Sequence, residues 1–293
     1  MAVDPRTRMG PVALTVRDLE QAQRFYERVL GLADVGADPG RVRLGAPAGE
    51  VLVELVGEPD APRRPPRTTG LFHLAILVPG RVDLARALGR LVEARWPLAG
   101  ASDHLVSEAL YLADPEGNGI EVYRDRPPEQ WRRRGVDIEM ATLPLDLPRL
   151  MAELDDGQAS VDERGEAHAP GALPAAARIG HVHLNVADIE LAERFYGDLL
   201  GFDVTVRGYP GALFLAAGGY HHHVGVNTWA GAGAPAPPDG SAGLRDFAVE
   251  LADAGELHAV VDRLRDGGVE VGEGESAATA VDPSSNRVVL RAA

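Results

Sequence analysis

The feature that most constrains this chain is an internal repeat. Residues 9–32, MGPVALTVRDLEQAQRFYERVLGL, return almost position for position at residues 179–202 as IGHVHLNVADIELAERFYGDLLGF. Both copies predict a short strand, an aspartate that caps a helix, an amphipathic helix and a terminal glycine. A weaker pair of copies begins at Gly70 and Gly243. The chain is therefore expected to repeat one structural unit along its length.

Strand-like segments follow every predicted helix, so each unit has the order βαβββ. The four modules lie near residues 9–58, 70–124, 178–230 and 241–293. Proline- and glycine-rich joints separate the first from the second and the third from the fourth. Residues 125–177 are polar and irregular, with one short helix predicted at LPRLMAELDD, and we interpret them as a connector. The predicted domains are an N-terminal module pair at 1–124 and a C-terminal module pair at 178–293.

A module with four strands and one helix leaves an apolar sheet face uncovered, so the modules must pair. The predicted fold class is α+β, with four βαβββ modules that pair into curved mixed sheets around a cleft. Neighbours in sequence would pair by default, the first module with the second and the third with the fourth. Pairing of the second module with the third is the alternative.

Composition excludes several kinds of partner and site. The chain has 29 basic and 44 acidic residues and a net charge of -15, which argues against binding to nucleic acid or to an anionic membrane. No apolar run approaches the roughly 18 residues of a spanning helix, and the start MAVDPRTRMG contains no apolar signal core, so we expect a cytoplasmic protein. Because there is no cysteine, a metal here must be held by histidines and carboxylates.

The segment DHLVSEALYLADPEGNGIEVY, residues 103–123, combines a histidine, a tyrosine and a glutamate around a tight turn. The turn joins two antiparallel strands, which set Tyr111 and Glu121 side by side. The spacing from His104 through Tyr111 to Glu121 resembles the motif of extradiol dioxygenases. One departure is Ser102, where that motif prefers glycine or another of a small set.

With its four modules and this motif, the chain resembles the vicinal-oxygen-chelate superfamily, which includes glyoxalase I, bleomycin resistance proteins and type I extradiol dioxygenases. The resemblance covers all four modules and leaves out only the connector. DPEGNGIE and GGYHHH are similar to sequences of the bacterial four-module catechol 2,3-dioxygenases. This resemblance implies an Fe(II) enzyme, with Mn(II) as the alternative metal, that opens a catechol ring with O2 to a product of the 2-hydroxymuconic semialdehyde type. Exchange of modules between copies would also permit a homodimer.

The resemblance further implies metal ligands on the first and last strands of the modules. His73 and His181 occupy the first-strand position of the second and third modules, and Glu121 occupies the last-strand position of the second. Two histidines and one carboxylate on one side of an Fe(II) leave neighbouring positions open for substrate and O2. This set requires the second and third modules to share a cleft. A rival set of His73, Glu121 and Glu54 would leave His181 unused.

Three more residues are candidates for catalysis. Tyr111 is expected to hydrogen-bond the catecholate, and His104 to orient the substrate. In GGYHHHVGVNTW, the histidine that handles protons in extradiol enzymes aligns best with His222. His221 and His223 stay open as alternatives, because a bulge would change which sheet face each side chain takes.

Two other functions also stay open. A glyoxalase-type metal lyase or isomerase would need the metal but none of the three catalytic candidates. A metal-free protein of the drug-sequestering kind would bind an aromatic ligand in the cleft without turnover. Two interpretations stay open for the aromatic residues Trp229, Phe72, Phe214 and Tyr220: they line such a pocket, or they belong to ordinary apolar packing.

Overall fold

The structure, a computed structural model, describes residues 2–47, 49–135, 137–154, 171–274 and 276–293. Within these ranges the chain has 19 strands and five α-helices, so sheets dominate and the predicted α+β class is confirmed. None of the helices in the same ranges has both the length and the hydropathy needed to cross a membrane.

The first two modules have the predicted order of one strand, one helix and three strands. The first contains β1 (Arg8–Val16), α1 (Leu19–Arg28), β2 (Ala33–Asp38), β3 (Arg41–Gly45) and β4 (Val51–Gly57). The second contains β5 (Gly70–Leu77), α2 (Arg81–Glu93), β6 (Gly100–Asp103), β7 (Ser107–Ala113) and β8 (Gly119–Asp125).

The connector is more structured than the sequence predicts. It contains a short 3-10 turn and then β9 (Arg133–Arg134), β10 (Asp137–Ile138), β11 (Leu143–Pro144) and α3 (Leu147–Ala152). α3 confirms the helix predicted at LPRLMAELDD, whose last two residues lie outside the described residues. β11 pairs with β6, so the connector adds a strand to the sheet of the second module.

The last two modules repeat the order of the first two. The third contains β12 (Arg178–Asn185), α4 (Ile189–Glu193) with a π-helical continuation (Arg194–Leu199), β13 (Asp203–Val206), β14 (Ala212–Ala216) and β15 (Val224–Asn227). The fourth contains β16 (Gly243–Leu251), α5 (Ala254–Asp266), β17 (Val271–Glu273), β18 (Ala277–Val281) and β19 (Arg287–Ala292).

The repeated helices begin and end as the sequence predicts. Asp18 and Asp188 each accept a hydrogen bond from the backbone N–H three residues later, with N to O distances of 2.9 Å. Gly31 and Gly201 follow the helices with φ of +81° and +98°, a conformation that costs glycine little. Local sequence therefore fixes both helix boundaries.

The modules pair first with fourth and second with third. β1 is antiparallel to β16 in an eight-stranded sheet of the first and fourth modules, which we call the outer-module sheet. β5 is antiparallel to β12 in a nine-stranded sheet of the second and third modules, the inner-module sheet. Each sheet thus takes one module from each half of the chain, and the predicted domain boundaries stay a prediction.

The two sheets pack through one continuous apolar core. Leu14, Leu74, Leu184 and Phe247, one from each module, all belong to it and are fully buried. Burial of one such side chain contributes roughly 1.5–3 kcal/mol to the free energy of unfolding. The core therefore accounts for most of the attraction between the sheets.

Two buried hydrogen bonds also join the sheets. Tyr26 of α1 donates to Asp114 in the turn after β7, at 3.2 Å. Tyr196, after α4, donates to Asp282 in the turn after β18, at 2.9 Å. The repeat therefore reproduces this contact as well as the strands.

Candidate metal centre and active site

The candidate ligands lie in two neighbouring rows on one face of the inner-module sheet. Glu121 of β8 stands opposite Ala75 of β5, and Ala75 stands opposite His181 of β12. His73 precedes Ala75 by two residues, so both side chains take the same sheet face. Because Ala75 carries only a methyl group, it leaves space between the larger side chains around it.

The ligand atoms of these residues converge. Oε2 of Glu121 lies 3.0 Å from His73 Nε2 and 3.1 Å from His181 Nε2. The two Nε2 atoms are 3.3 Å apart. Metal bonds of about 2.1 Å at right angles would separate neighbouring ligand atoms by about 3 Å. The three residues therefore fit adjacent positions around one ion, the two-histidine, one-carboxylate arrangement.

The protonation state of the group suits metal binding. Burial alone would raise the pKa of Glu121, but contact with His181 and then with His73 holds it well below its usual range. Burial lowers the pKa of His181 to about 4, an effect that Glu121 partly opposes. At neutral pH the carboxylate is ionised and the His181 imidazole is neutral, which are the forms that coordinate metals.

Glu54 lies away from this group. Its carboxylate pairs with Arg41 at 2.8 Å and with Arg43 at 3.5 Å in the outer-module sheet. The rival set that includes Glu54 is wrong, because β4 pairs with β1 and β3 and not with the sheet that carries the histidines.

His104 and Tyr111 form a hydrogen-bonded pair at the cleft. His104 Nδ1 lies 2.7 Å from the carbonyl oxygen of Ala141, which can only accept, so this nitrogen carries the proton. In the neutral ring Nε2 then accepts the Tyr111 hydroxyl, 2.7 Å away. Burial raises the pKa of Tyr111 well above its usual range, and the charge of Glu121 raises it further.

The turn that carries His104 contains a residue in an unfavourable backbone conformation, and ion pairs between side chains hold the strand that follows it. Leu105 has φ of +70°, an unfavourable conformation for a residue with a branched side chain. Just after it, buried Glu108 pairs at 2.8 to 3.2 Å with three arginines, Arg81, Arg124 and Arg126. These ion pairs fix the strand that follows the turn.

The three successive histidines differ in their surroundings. The His222 ring lines the cleft, with its centroid 4.0 Å from that of His181. His221 is fully buried and contacts Asp125 at 2.8 Å. His223 accepts the backbone N–H of the residue six positions earlier and does not line the cleft. The structure therefore brings His222 to the candidate ligands.

These side chains surround a cleft of about 490 Å³. Its apolar lining includes Phe72, Leu112, Ile120, Tyr209, Phe214 and Trp229. The predicted aromatic lining is thus correct except for Tyr220, which donates to Asp125 at 2.9 Å instead. Met140 and Thr142 of the connector also line the cleft, although the sequence indicates only an interdomain connection there.

His183 is a cleft residue that the sequence analysis does not assign. It stands opposite His73 in the strand register, with ring centroids 5.0 Å apart. Gly225 makes room for it, because a Cβ there would lie 3.0 Å from the His183 ring. Its Nε2 is buried without a hydrogen-bond partner among the described residues. His181 and His183 are two residues apart on one strand, so they share a sheet face. That spacing in the sequence could have indicated that His183 also lies near the site.

Comparisons with known proteins agree on the family. The model of the Glyoxalase/Bleomycin resistance protein/Dioxygenase superfamily matches residues 8–122 and 178–280. The chain is 41% identical over 287 residues to the catechol-2,3-dioxygenase of Bacillus subtilis (strain 168), which covers 97% of this chain and 96% of that one. It is 32% identical over 131 residues to biphenyl-2,3-diol 1,2-dioxygenase 3 of Rhodococcus globerulus, covering 43% of this chain and 66% of that one.

A solved structure shows the same fold. Glyoxalase I from Zea mays superposes with a TM-score of 0.57 at 16% identity, covering 98% of this chain and 92% of that one. The predicted vicinal-oxygen-chelate fold is confirmed.

Proposed function

The chain belongs to the glyoxalase/bleomycin resistance protein/dioxygenase superfamily, and from that premise we propose that it is an Fe(II)-dependent extradiol dioxygenase. It would open the ring of catechol or a substituted catechol, and both atoms of O2 would enter a product of the 2-hydroxymuconic semialdehyde type. The observation that carries the proposal is the convergence of the ligand atoms of His73, Glu121 and His181 beside a cleft. His73 and Glu121 line this cleft together with the three catalytic candidates.

The donor set favours Fe(II). Two imidazoles and a carboxylate on one side of the ion leave adjacent positions for the two oxygens of a catechol and for O2. When bound, the ion would lower the pKa of the catechol hydroxyls and conduct electrons from the ring to O2. Mn(II) accepts the same ligands, so metal analysis of the active protein decides between them.

The cleft suits a planar aromatic ring. Phe72 and Trp229 meet edge to face at 5.1 Å on one wall, and Phe214 lies 4.8 Å from His222, centroid to centroid. Apolar walls with a few polar groups at one end bind a ring and orient its polar edge. That end is where the candidate ligands lie, so the vicinal hydroxyls would point toward the metal.

Tyr111 and His104 would handle one substrate oxygen. The Tyr111 side chain stands opposite Glu121 in the strand register, beside the place where that oxygen would bind. Because its pKa is raised, the phenol keeps its proton, and the hydroxyl can turn this proton from His104 to the substrate oxygen. His104, with Nδ1 held by a backbone carbonyl, can accept a proton at Nε2.

His222 would be the acid and base for the reaction with O2. It lies against His181 in the same cleft. Burial lowers its pKa well below the usual range, and the neighbouring histidine His181 adds to this, so the ring is neutral at physiological pH. A neutral imidazole can take the proton of a catechol hydroxyl and return it to oxygen as the ring opens.

The test is an aerobic assay of protein loaded with Fe(II) under anaerobic conditions. We expect catechol to give the yellow ring-opened product, with Zn(II)-loaded protein as the control that has a filled but redox-inactive site. Absence of product from every simple catechol at full iron occupancy would overturn the proposal. Lyase activity that persists in Tyr111→Phe and His222→Gln would point to the glyoxalase class, and failure to take up any metal would point to the metal-free binding class.

Two further expectations stay predictions: a cytoplasmic location and the homodimer that module exchange would permit.

A further inference from the structure

We propose that Asp125 and His221 are positioning residues that hold His222 in one tautomer, with the proton on Nδ1 and the lone pair of Nε2 toward the cleft. The inference rests on the proposed function, because the tautomer matters to catalysis only if His222 acts as the base. The tautomer of His222 itself can be measured without catalytic turnover.

The first contact that sets the tautomer is made by the carboxylate of Asp125. Oδ1 of Asp125 lies 2.8 Å from Nε2 of His221, whose side chain is fully buried. A carboxylate can only accept, so Nε2 of His221 must carry the proton. The other oxygen, Oδ2, accepts the hydroxyl of Tyr220 at 2.9 Å, and Tyr220 in turn accepts the hydroxyl of Tyr123 at 2.8 Å. Both oxygens are thus in use, which fixes the direction of the Asp125 side chain.

The second step is a contact between two imidazoles. Nδ1 of His221 lies 2.7 Å from Nδ1 of His222, so one nitrogen donates and the other accepts. In the neutral form of the His221 ring the single proton is on Nε2, so Nδ1 of that form is the acceptor. His222 must then donate from Nδ1, which leaves the lone pair on Nε2. Without this order, His222 would be free to present an N–H to the cleft, where a base needs a lone pair.

The backbone explains how neighbouring residues can make this contact. In a regular strand adjacent side chains point to opposite faces. His221 and His222 precede β15 and follow Gly218 and Gly219, which have φ of +63° and +75°. The carbonyl of His221 is also held by the Thr205 hydroxyl at 2.5 Å. The irregular segment therefore allows the two rings to face each other, and the contact with Thr205 holds the backbone of His221 in place.

The test is NMR of the full chain with ¹⁵N-labelled histidine, metal-free and loaded with diamagnetic Zn(II). Long-range ¹H–¹⁵N correlations distinguish protonated from unprotonated ring nitrogens, and the spectrum of His222→Gln assigns the His222 signals. We expect Nδ1 protonated and Nε2 unprotonated in the parent protein. Asp125→Ala and His221→Phe should shift His222 toward the Nε2–H tautomer. Tyr220→Phe removes one contact to Asp125 but keeps the carboxylate and His221, so it should shift the tautomer less than Asp125→Ala. His258→Gln, at an exposed position of α5, is the control and should leave the tautomer unchanged.

A kinetic arm tests whether the tautomer matters. With Fe(II)-loaded protein and catalytic turnover of catechol as the readout, Asp125→Ala should lower kcat by up to about 10²- to 10⁴-fold, the range for loss of the general base whose tautomer it sets, with KM and iron content unchanged. In a His222→Gln background the same substitution should have no further effect.

The outcomes separate this inference from the proposed function. An Nε2–H tautomer of His222 in the parent protein, or an equal loss of kcat in the His222→Gln background, would overturn the positioning role. The predicted tautomer and its loss in Asp125→Ala, combined with no cleavage of any catechol, would uphold the positioning role and reject the dioxygenase.

Discussion

The outer-module and inner-module sheets share one strand plan and differ in chemistry. The inner sheet carries the three candidate metal ligands. The corresponding positions of the outer sheet hold Pro11, Asp246 and Glu54, and Glu54 pairs with two arginines. Burial raises the pKa of Asp246, and the charge of Glu54 raises it further. These three outer-sheet positions therefore hold two acids and no neutral nitrogen ligand. Both sheets therefore provide the same strand positions, and the side chains at those positions decide whether a metal site can form.

The largest expected effect comes from one substitution made in both sheets. Glu121→Gln removes the carboxylate ligand, so metal should bind more than about 100-fold more weakly, beyond the loss typical of residues that only orient ligands. Glu54→Gln changes the counterpart in the outer sheet and should leave metal affinity unchanged. Anaerobic metal titration with elemental analysis measures both. Equal metal affinities in the two variants would contradict the assignment of Glu121, and not Glu54, as the carboxylate ligand.

The next effect concerns proton transfer. His222→Gln should lower kcat by about 10²- to 10⁴-fold, the range for loss of a general acid or base, while metal content stays near that of the parent protein. His258→Gln, the same change at an exposed position of α5 in the outer modules, is the control and should not alter kcat. The measurement is the steady-state rate with catechol. A normal rate in His222→Gln would remove this residue from the mechanism.

A pH effect should arise at His181 in the inner sheet. Burial lowers the pKa of His181 from 6.5 to about 4, so between these values the unfolded chain binds more protons than the folded one. The free energy of unfolding of the metal-free protein should therefore fall as pH decreases from 6.5 to 4, with His181 contributing at most about 3 kcal/mol. Urea unfolding across this range should show a shallower dependence in His181→Gln. His258→Gln should keep the full slope, and the same slope in both variants would contradict the prediction.

The smallest effect should be equal in the two halves of the chain. Tyr26→Phe and Tyr196→Phe each delete one of the buried hydrogen bonds between the sheets, at a cost of roughly 1–2 kcal/mol in the free energy of unfolding. Because the two hydrogen bonds share no partner residue, the double variant should show the sum. Denaturant unfolding measures all three variants, and a marked inequality would show that the repeat is not energetically symmetric.

The repeat was enough to predict modules, helix caps and the turn between Tyr111 and Glu121, because periodicity and capping act over a few residues. Sheet partnership was not decided by the sequence. It depends on how apolar faces pack between modules, and only the matched positions of His73 and His181 pointed to the pairing that the structure has.

Other parts of the site could not be read from the sequence. Asp125 and His221 are 96 residues apart in the chain, and no local pattern connects them. Tyr220 lies between β14 and β15, so the direction of its side chain depends on the irregular segment after the two glycines, which strand alternation does not describe. The cleft residues of the connector likewise depend on the pairing of β11 with β6.

The ligand spacing along the chain has a consequence for biosynthesis. Glu121 is 60 residues from His181, and His73 is 108 residues from it. A nascent chain on the ribosome therefore carries two ligands well before the third emerges, and it can hold a metal only loosely until then. A metal bound by all three candidate ligands would join the early and late portions of the polypeptide, so full metal binding would require that both portions have been made and have packed together.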